Sequence, residues 1–123
     1  MLRADNMKTK NKKPFTDEEI IRVLKKHRDV LESRKVKRIG LFGSFVRGEQ
    51  KKDSDIDFLV EFDKDKFDEK FKGLFDNFMD LVFYLEDLFG KRVELITAGS
   101  LSPYIQPYVE KEVKWYEPGF AIS

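Results

Sequence analysis

Between two apolar runs the chain reads Gly43-Ser44-Phe45-Val46-Arg47-Gly48 and then, after a short polar stretch, Ser54-Asp55-Ile56-Asp57. A strand that ends in Gly-Ser offers backbone N–H groups and a hydroxyl to phosphate oxygens. Arg47 adds a guanidinium fork that matches phosphate geometry. Asp55 and Asp57, spaced i, i+2 at the head of a strand, project from one face because strand side chains alternate. A third carboxylate, Glu94, lies in the later strand-like run 92–97. If the two strands are neighbours, the three carboxylates converge. Crowded carboxylates repel one another, so such a cluster makes sense around cations. A phosphate cradle beside hard oxygen ligands is the equipment for handling a nucleoside triphosphate with Mg²⁺, with two ions expected.

The elements that must position these groups are legible in outline. Thr16 and Glu19 form a T-x-x-E capping box, with Phe15 placed to staple onto Ile20. A helix is expected over 17–33, with Ile20, Val23, Leu24, His27, Val30 and Leu31 on one stripe. His27, the only histidine, is expected as a boundary core residue rather than a base or ligand. Residues 36–42 read as a strand stopping at Gly43, and 55–62 as a second strand with Ile56, Phe58, Val60 and Phe62 on its apolar face. The short link between them predicts an antiparallel pair.

A long helix should follow the charged connection 63–70 and end near Phe89-Gly90. Its main stripe is expected as Phe71, Leu74, Phe75, Phe78, Val82, Leu85 and Phe89, with Met79 and Phe83 on one flank and Leu81 and Leu88 on the other. Residues 92–97 read as a third strand. Ser100 or Ser102 is expected to cap a short helix whose apolar side is Leu101, Tyr104, Ile105 and Tyr108, with Pro107 breaking or kinking it. Residues 113–116 read as a short strand or apolar tail.

Composition narrows the classes. A chain of 123 residues, 41% hydrophobic with twelve Phe, supports one core. The absence of cysteine excludes disulfides, thiolate metal sites and a cysteine nucleophile. No apolar run approaches membrane-spanning length and no signal peptide is evident, so a cytoplasmic protein is expected, with no membrane partner. Net charge is +1, but Arg3, Lys8, Lys10, Lys12 and Lys13 face only Asp5 within 1–14, leaving the remainder net acidic. The chain thus divides into a flexible basic leader, 1–14, and one domain, 15–123.

The run Gly43-Ser44-x-x-Arg47-Gly48 followed by Ser54-Asp55-x-Asp57 resembles the signature of the DNA polymerase beta nucleotidyltransferase superfamily. The compact length and the ending Leu101-Ser102-Pro103-Tyr104-Ile105-x-Pro107-Tyr108 resemble its minimal nucleotidyltransferase (MNT) branch. The resemblance spans about residues 36–110. It implies an α/β (α+β) fold, a small mixed β-sheet backed by helices. It further implies that Asp55 and Asp57 bind metal, that Gly43, Ser44, Arg47 and Ser54 serve the nucleotide, and that Glu94 stands at a third carboxylate position more often filled by Asp. Members of this branch pair with HEPN-family toxins, and the implied activity is Mg²⁺-dependent transfer of AMP from ATP to a toxin tyrosine. The chain is too short for a separate acceptor-binding domain, which agrees with an acceptor that arrives as a partner. The alternatives are an antitoxin that only occludes the toxin, and nucleotidyl transfer to RNA or a small molecule.

Overall fold

The computed structural model describes residues 15–63, 65 and 73–119. The basic leader 1–14, Phe71 and most of the connection 63–70 lie outside the described residues. The capping box forms as expected. The Glu19 N–H donates to Thr16 Oγ1 at 3.1 Å, and the Thr16 N–H donates to Glu19 Oε1 at 2.9 Å. Phe15, ahead of the cap, meets Phe89 edge-on with ring centroids 5.6 Å apart.

The single helix expected over 17–33 is broken into α1 (Asp17–Lys26) and α2 (Arg28–Ser33). The break is at His27, whose φ of −112° and ψ of 26° leave the helical region. Its N–H is shared between the carbonyls of Val23 and Leu24. Its ring Nδ1 lies 2.9 Å from the Tyr84 hydroxyl on the long helix. Periodicity could not show this break, because the partner at His27 is remote in sequence. His27 is nonetheless the half-buried boundary residue that the stripe implies.

Among the described residues four strands follow: β1 (Val36–Phe42), β2 (Ile56–Phe62), β3 (Val93–Thr97) and β4 (Lys114–Tyr116). They form one sheet in the order β3-β2-β1-β4. β1 and β2 are antiparallel, with Leu41 opposite Phe58 and Phe42 opposite Asp57. β3 runs parallel to β2, which requires a long crossover; the helix following residue 73 lies in that crossover. β4 pairs antiparallel with β1 at the opposite edge. The sheet is therefore mixed, and the protein is α+β.

Alternation decides the faces. Ile39 and Leu41 of β1 and Ile56, Phe58 and Val60 of β2 are fully buried, in one core with Ile20, Leu24 and Leu31. Among the described residues the strands are joined by α3 (Ser44–Arg47), a single turn, and α4 (Leu74–Phe89), the long helix. α4 adds Leu81, Leu85 and Phe89 to the core. Its buried line differs from the expected stripe. Leu81 is fully buried, whereas Phe75 is 72% exposed and Phe83 59% exposed. The line 74-78-81-85-89 keeps a strict three-four spacing, which leaves Phe75 about a quarter-turn away at 100° per residue. Among the described residues no helix is long and apolar enough to cross a membrane.

After β3 a 3₁₀ turn over Ala98–Ser100 leads through Ser102, whose carbonyl accepts N–H bonds from Ile105 and Gln106, into α5 (Gln106–Glu112). Pro107 opens α5 instead of breaking it. A first-turn residue has no intrahelical N–H bond to lose, so proline is tolerated there. Tyr104, Ile105 and Tyr108, expected as an apolar packing side, are exposed, while Val109 turns inward.

One close approach fixes the β1–β4 edge. Gly40 lies opposite Trp115. A methyl group at Gly40 would overlap Val113 Cγ2 and lie 2.9 Å from Trp115 Cε3. Arg38 stacks on the same indole, its guanidinium carbon 3.9 Å from the ring centroid, while its Nε donates to Glu61 at 2.6 Å. Gly40→Ala is therefore expected to destabilise the fold by about 1–3 kcal/mol through overpacking. Urea denaturation followed by Trp115 fluorescence measures it.

Candidate active site

β1 delivers the chain to Gly43, which has φ +85° and ψ −153°. That left-handed φ suits glycine. A second constraint acts at the same atom: a methyl group there would overlap Oδ2 of Asp57 and lie 3.1 Å from its Cγ. The Gly-Ser turn and the Asp57 carboxylate are thus in direct contact. α3 begins at Ser44, its turn closed by N–H bonds from Val46 and Arg47 to the Gly43 carbonyl. Phe45, 1% exposed, anchors this short turn in the core, so its backbone is held against the strand ends.

Register brings two carboxylates together. Asp57 stands opposite Phe42 on one side and pairs with Glu94 on the other. Neighbouring strands lie about 4.8 Å apart, so in-register side chains on one face touch. Burial pushes the Asp57 carboxyl up to about 6, helped by the charges of Glu94 and Asp55 and by a hydrogen bond with Glu94; Arg47 opposes the rise. Asp55 precedes β2, near Arg92, whose Nε is 3.6 Å from Asp55 Oδ1. Ser54 shapes the approach: its Oγ accepts the Lys51 N–H at 2.7 Å, and its own N–H donates to the Lys51 carbonyl at 3.0 Å. Here Ser54 builds the turn that sets Asp55.

The donor chemistry fits a hard divalent cation. Asp57 and Glu94 crowd one another, and a cation would relieve that repulsion. The fit is one of donor type and proximity. Among the described residues, no group of three potential ligands already converges to hold a metal ion. The structure brings Asp57 and Glu94 into one pair and sets Asp55 near enough for its charge to act on Asp57.

A titration follows from this crowding. The folded-state value for Asp57, about 6, lies above its ordinary 3.8. The folded protein therefore holds this proton more tightly than the unfolded chain, and the ionised group is destabilising above pH 6. In metal-free buffer the melting temperature should rise as pH falls from 7 toward 5. Asp57→Asn should flatten that segment of the curve, as calorimetry across the pH series would show.

The Gly-Ser turn and Arg47, expected from the sequence to meet phosphate, hold a residue that the motif reading missed. The Gly43 N–H donates to Glu112 Oε2 at 2.7 Å. Arg47 Nη1 donates to Glu112 Oε1 and Oε2 at 3.1 and 3.2 Å, and Arg47 Nε donates to Glu49 Oε1 at 2.9 Å. Glu112 closes α5, 69 residues from Gly43. No local pattern could link the two; only the return of the chain as β4 beside β1 does so.

The fold is matched by family and structural comparison. The nucleotidyltransferase domain family model covers residues 24–116, and the chain belongs to that family. Within it, the protein is a minimal nucleotidyltransferase and hence an enzyme of the nucleotidyltransferase class. It is 44% identical over 100 residues to the protein adenylyltransferase MntA of Thermococcus cleftensis, a match covering 80% of this chain and 94% of that one. A solved structure assigned as a minimal nucleotidyltransferase superposes with a TM-score of 0.61 at 30% identity, covering 80% of this chain and 95% of the other. A toxin-antitoxin structure with AMP-PNP gives a TM-score of 0.54 at 26% identity, covering 76% and 70%.

Proposed function

We propose that this protein is a cytoplasmic antitoxin that transfers AMP from ATP to a tyrosine hydroxyl of a HEPN-type toxin. The observation that carries the reading is the contact between the Gly43 turn and the Asp57 carboxylate, which sets an oxyanion cradle against an acidic pair. The Gly43 and Ser44 backbone, the Ser44 hydroxyl and Arg47 bind the triphosphate, and Ser54 holds the turn ahead of Asp55. Asp55, Asp57 and Glu94 would hold Mg²⁺, which when bound would supply neutralisation of phosphate charge and a lowered pKa for the attacking hydroxyl. The phenolic oxygen bonds to the α-phosphorus in line, the bond to the β-phosphate oxygen breaks, and pyrophosphate leaves. The phenolic proton passes to a site carboxylate. Positioning and charge neutralisation supply most of the acceleration.

The likeness to a protein adenylyltransferase and to a toxin-antitoxin structure with an ATP analogue supports both the nucleotide and the partner. Phe75 and Phe83 leave an aromatic flank of α4 open to such a partner. That flank equally favours a second reading, an antitoxin that blocks the toxin by occlusion alone. The deciding experiment purifies the protein with the product of its neighbouring gene, adds Mg-ATP and records intact masses. A partner heavier by whole AMP units, lost when its acceptor tyrosine becomes Phe, is the expected result. An unmodified partner overturns the transfer reading.

A further inference from the structure

The donors assigned to the triphosphate are already taken by an oxyanion of the chain itself. The Gly43 N–H and Arg47 Nη1 converge on the carboxylate of Glu112, at 2.7 Å and 3.1–3.2 Å. A carboxylate and a phosphate present similar charged oxygens to such a fork. Glu112 has no part in metal binding or transfer as proposed above, and its side chain is only 22% exposed. We propose that Glu112 is an affinity-setting residue: a tethered substitute for phosphate that holds the cradle until nucleotide displaces it. The inference rests on the reading of Gly43 and Arg47 as the phosphate cradle.

The competition is direct. A single N–H and a single Nη1 cannot hold both Glu112 and a phosphate oxygen in the same geometry. Repulsion between the carboxylate and a polyphosphate adds to that exclusion. Displacement of Glu112 also has a structural consequence. Glu112 is the last residue of α5, and only Val113 separates it from β4. The sole tryptophan, Trp115, is in β4, stacked under Arg38 and packed over Gly40. Release of Glu112 by nucleotide is therefore felt at Trp115. The same movement reaches the exposed Tyr104, Ile105 and Tyr108 at the head of α5.

The test uses the full chain and two probes, Mg-AMP-PNP and inorganic tripolyphosphate with Mg²⁺. Glu112→Gln keeps an acceptor for the Gly43 N–H and removes the charge, so the fold is retained. Calorimetric titration should show both probes binding about two- to fivefold more tightly to the variant, the scale of one partly exposed ion pair. In the wild-type protein, either probe should change Trp115 emission at saturation, a readout that needs no variant. Unchanged or weaker binding in Glu112→Gln, with Arg47→Ala still weakening both probes, overturns the role of Glu112 and leaves the cradle intact. Binding insensitive to Arg47→Ala as well overturns the cradle and this inference together.

Discussion

Asp57→Asn should lower the rate of AMP transfer by about 10²–10³-fold, the usual effect of removing one key electrostatic group. The physical ground is its place in the sheet. Asp57 is the residue through which β1, β2 and β3 meet the turn: opposite Phe42, paired with Glu94 and in contact with Gly43. Asparagine keeps the shape and removes the charge that a cation requires. The same change should not unfold the protein. Asp57 is crowded by two carboxylates at neutral pH, and an amide can donate to Glu94 where a carboxylate can only repel it. The variant should therefore melt no lower than wild type at pH 7, which separates loss of chemistry from loss of fold. An intact-mass time course with Mg-ATP and the partner measures the rate, and calorimetry measures the fold. Transfer at the wild-type rate would remove Asp57 from the site. Protection of cells by an inactive variant would favour occlusion over transfer.

Gly43→Ala should damage both fold and activity, through two separate penalties. A φ of +85° is strained for any residue with a Cβ. The added methyl would also overlap Asp57 Oδ2, so the carboxylate must move. Together these should reduce stability by about 1–3 kcal/mol. Transfer should fall about as far as in Asp57→Asn, because the displaced carboxylate is the same group. The double variant tests that route. If alanine acts through Asp57, then Gly43→Ala with Asp57→Asn should transfer no more slowly than Asp57→Asn alone, a plainly non-additive result. Additive losses would mean that Gly43 contributes chiefly through its own N–H. Urea denaturation and the same mass time course supply both numbers.

Much of this architecture could be read from local pattern. Alternation in β2 places Asp57, half-buried, on one face and buries Ile56, Phe58 and Val60 on the other. The capping box at Thr16 formed as its spacing requires. Errors arose where a remote contact overrode local periodicity. The break at His27 is held by Tyr84, fifty-seven residues away. The buried line of α4 runs through Leu81 and leaves Phe75 in solvent, because the apolar sector is wider than one packing face and the core covers only part of it. Pro107 opens a helix, because the turn at Ser102 places it where no N–H bond is needed.

By itself the sequence determined the chemical inventory: a Gly-Ser turn, an arginine and carboxylates at i, i+2 on a strand, which are local facts of residue type and spacing. Tertiary structure decided which of these meet. The parallel pairing of β2 with β3 brings Glu94 beside Asp57, a relation between strands that no local spacing encodes. The return of β4 along β1 brings Glu112 to Gly43 and Arg47, so the turn that the motif assigns to phosphate is held by the chain's own carboxylate. Side-chain period is a property of one segment, whereas strand neighbours are chosen by the whole core. The motif could therefore show the groups of the site, and only the fold could show how they are paired.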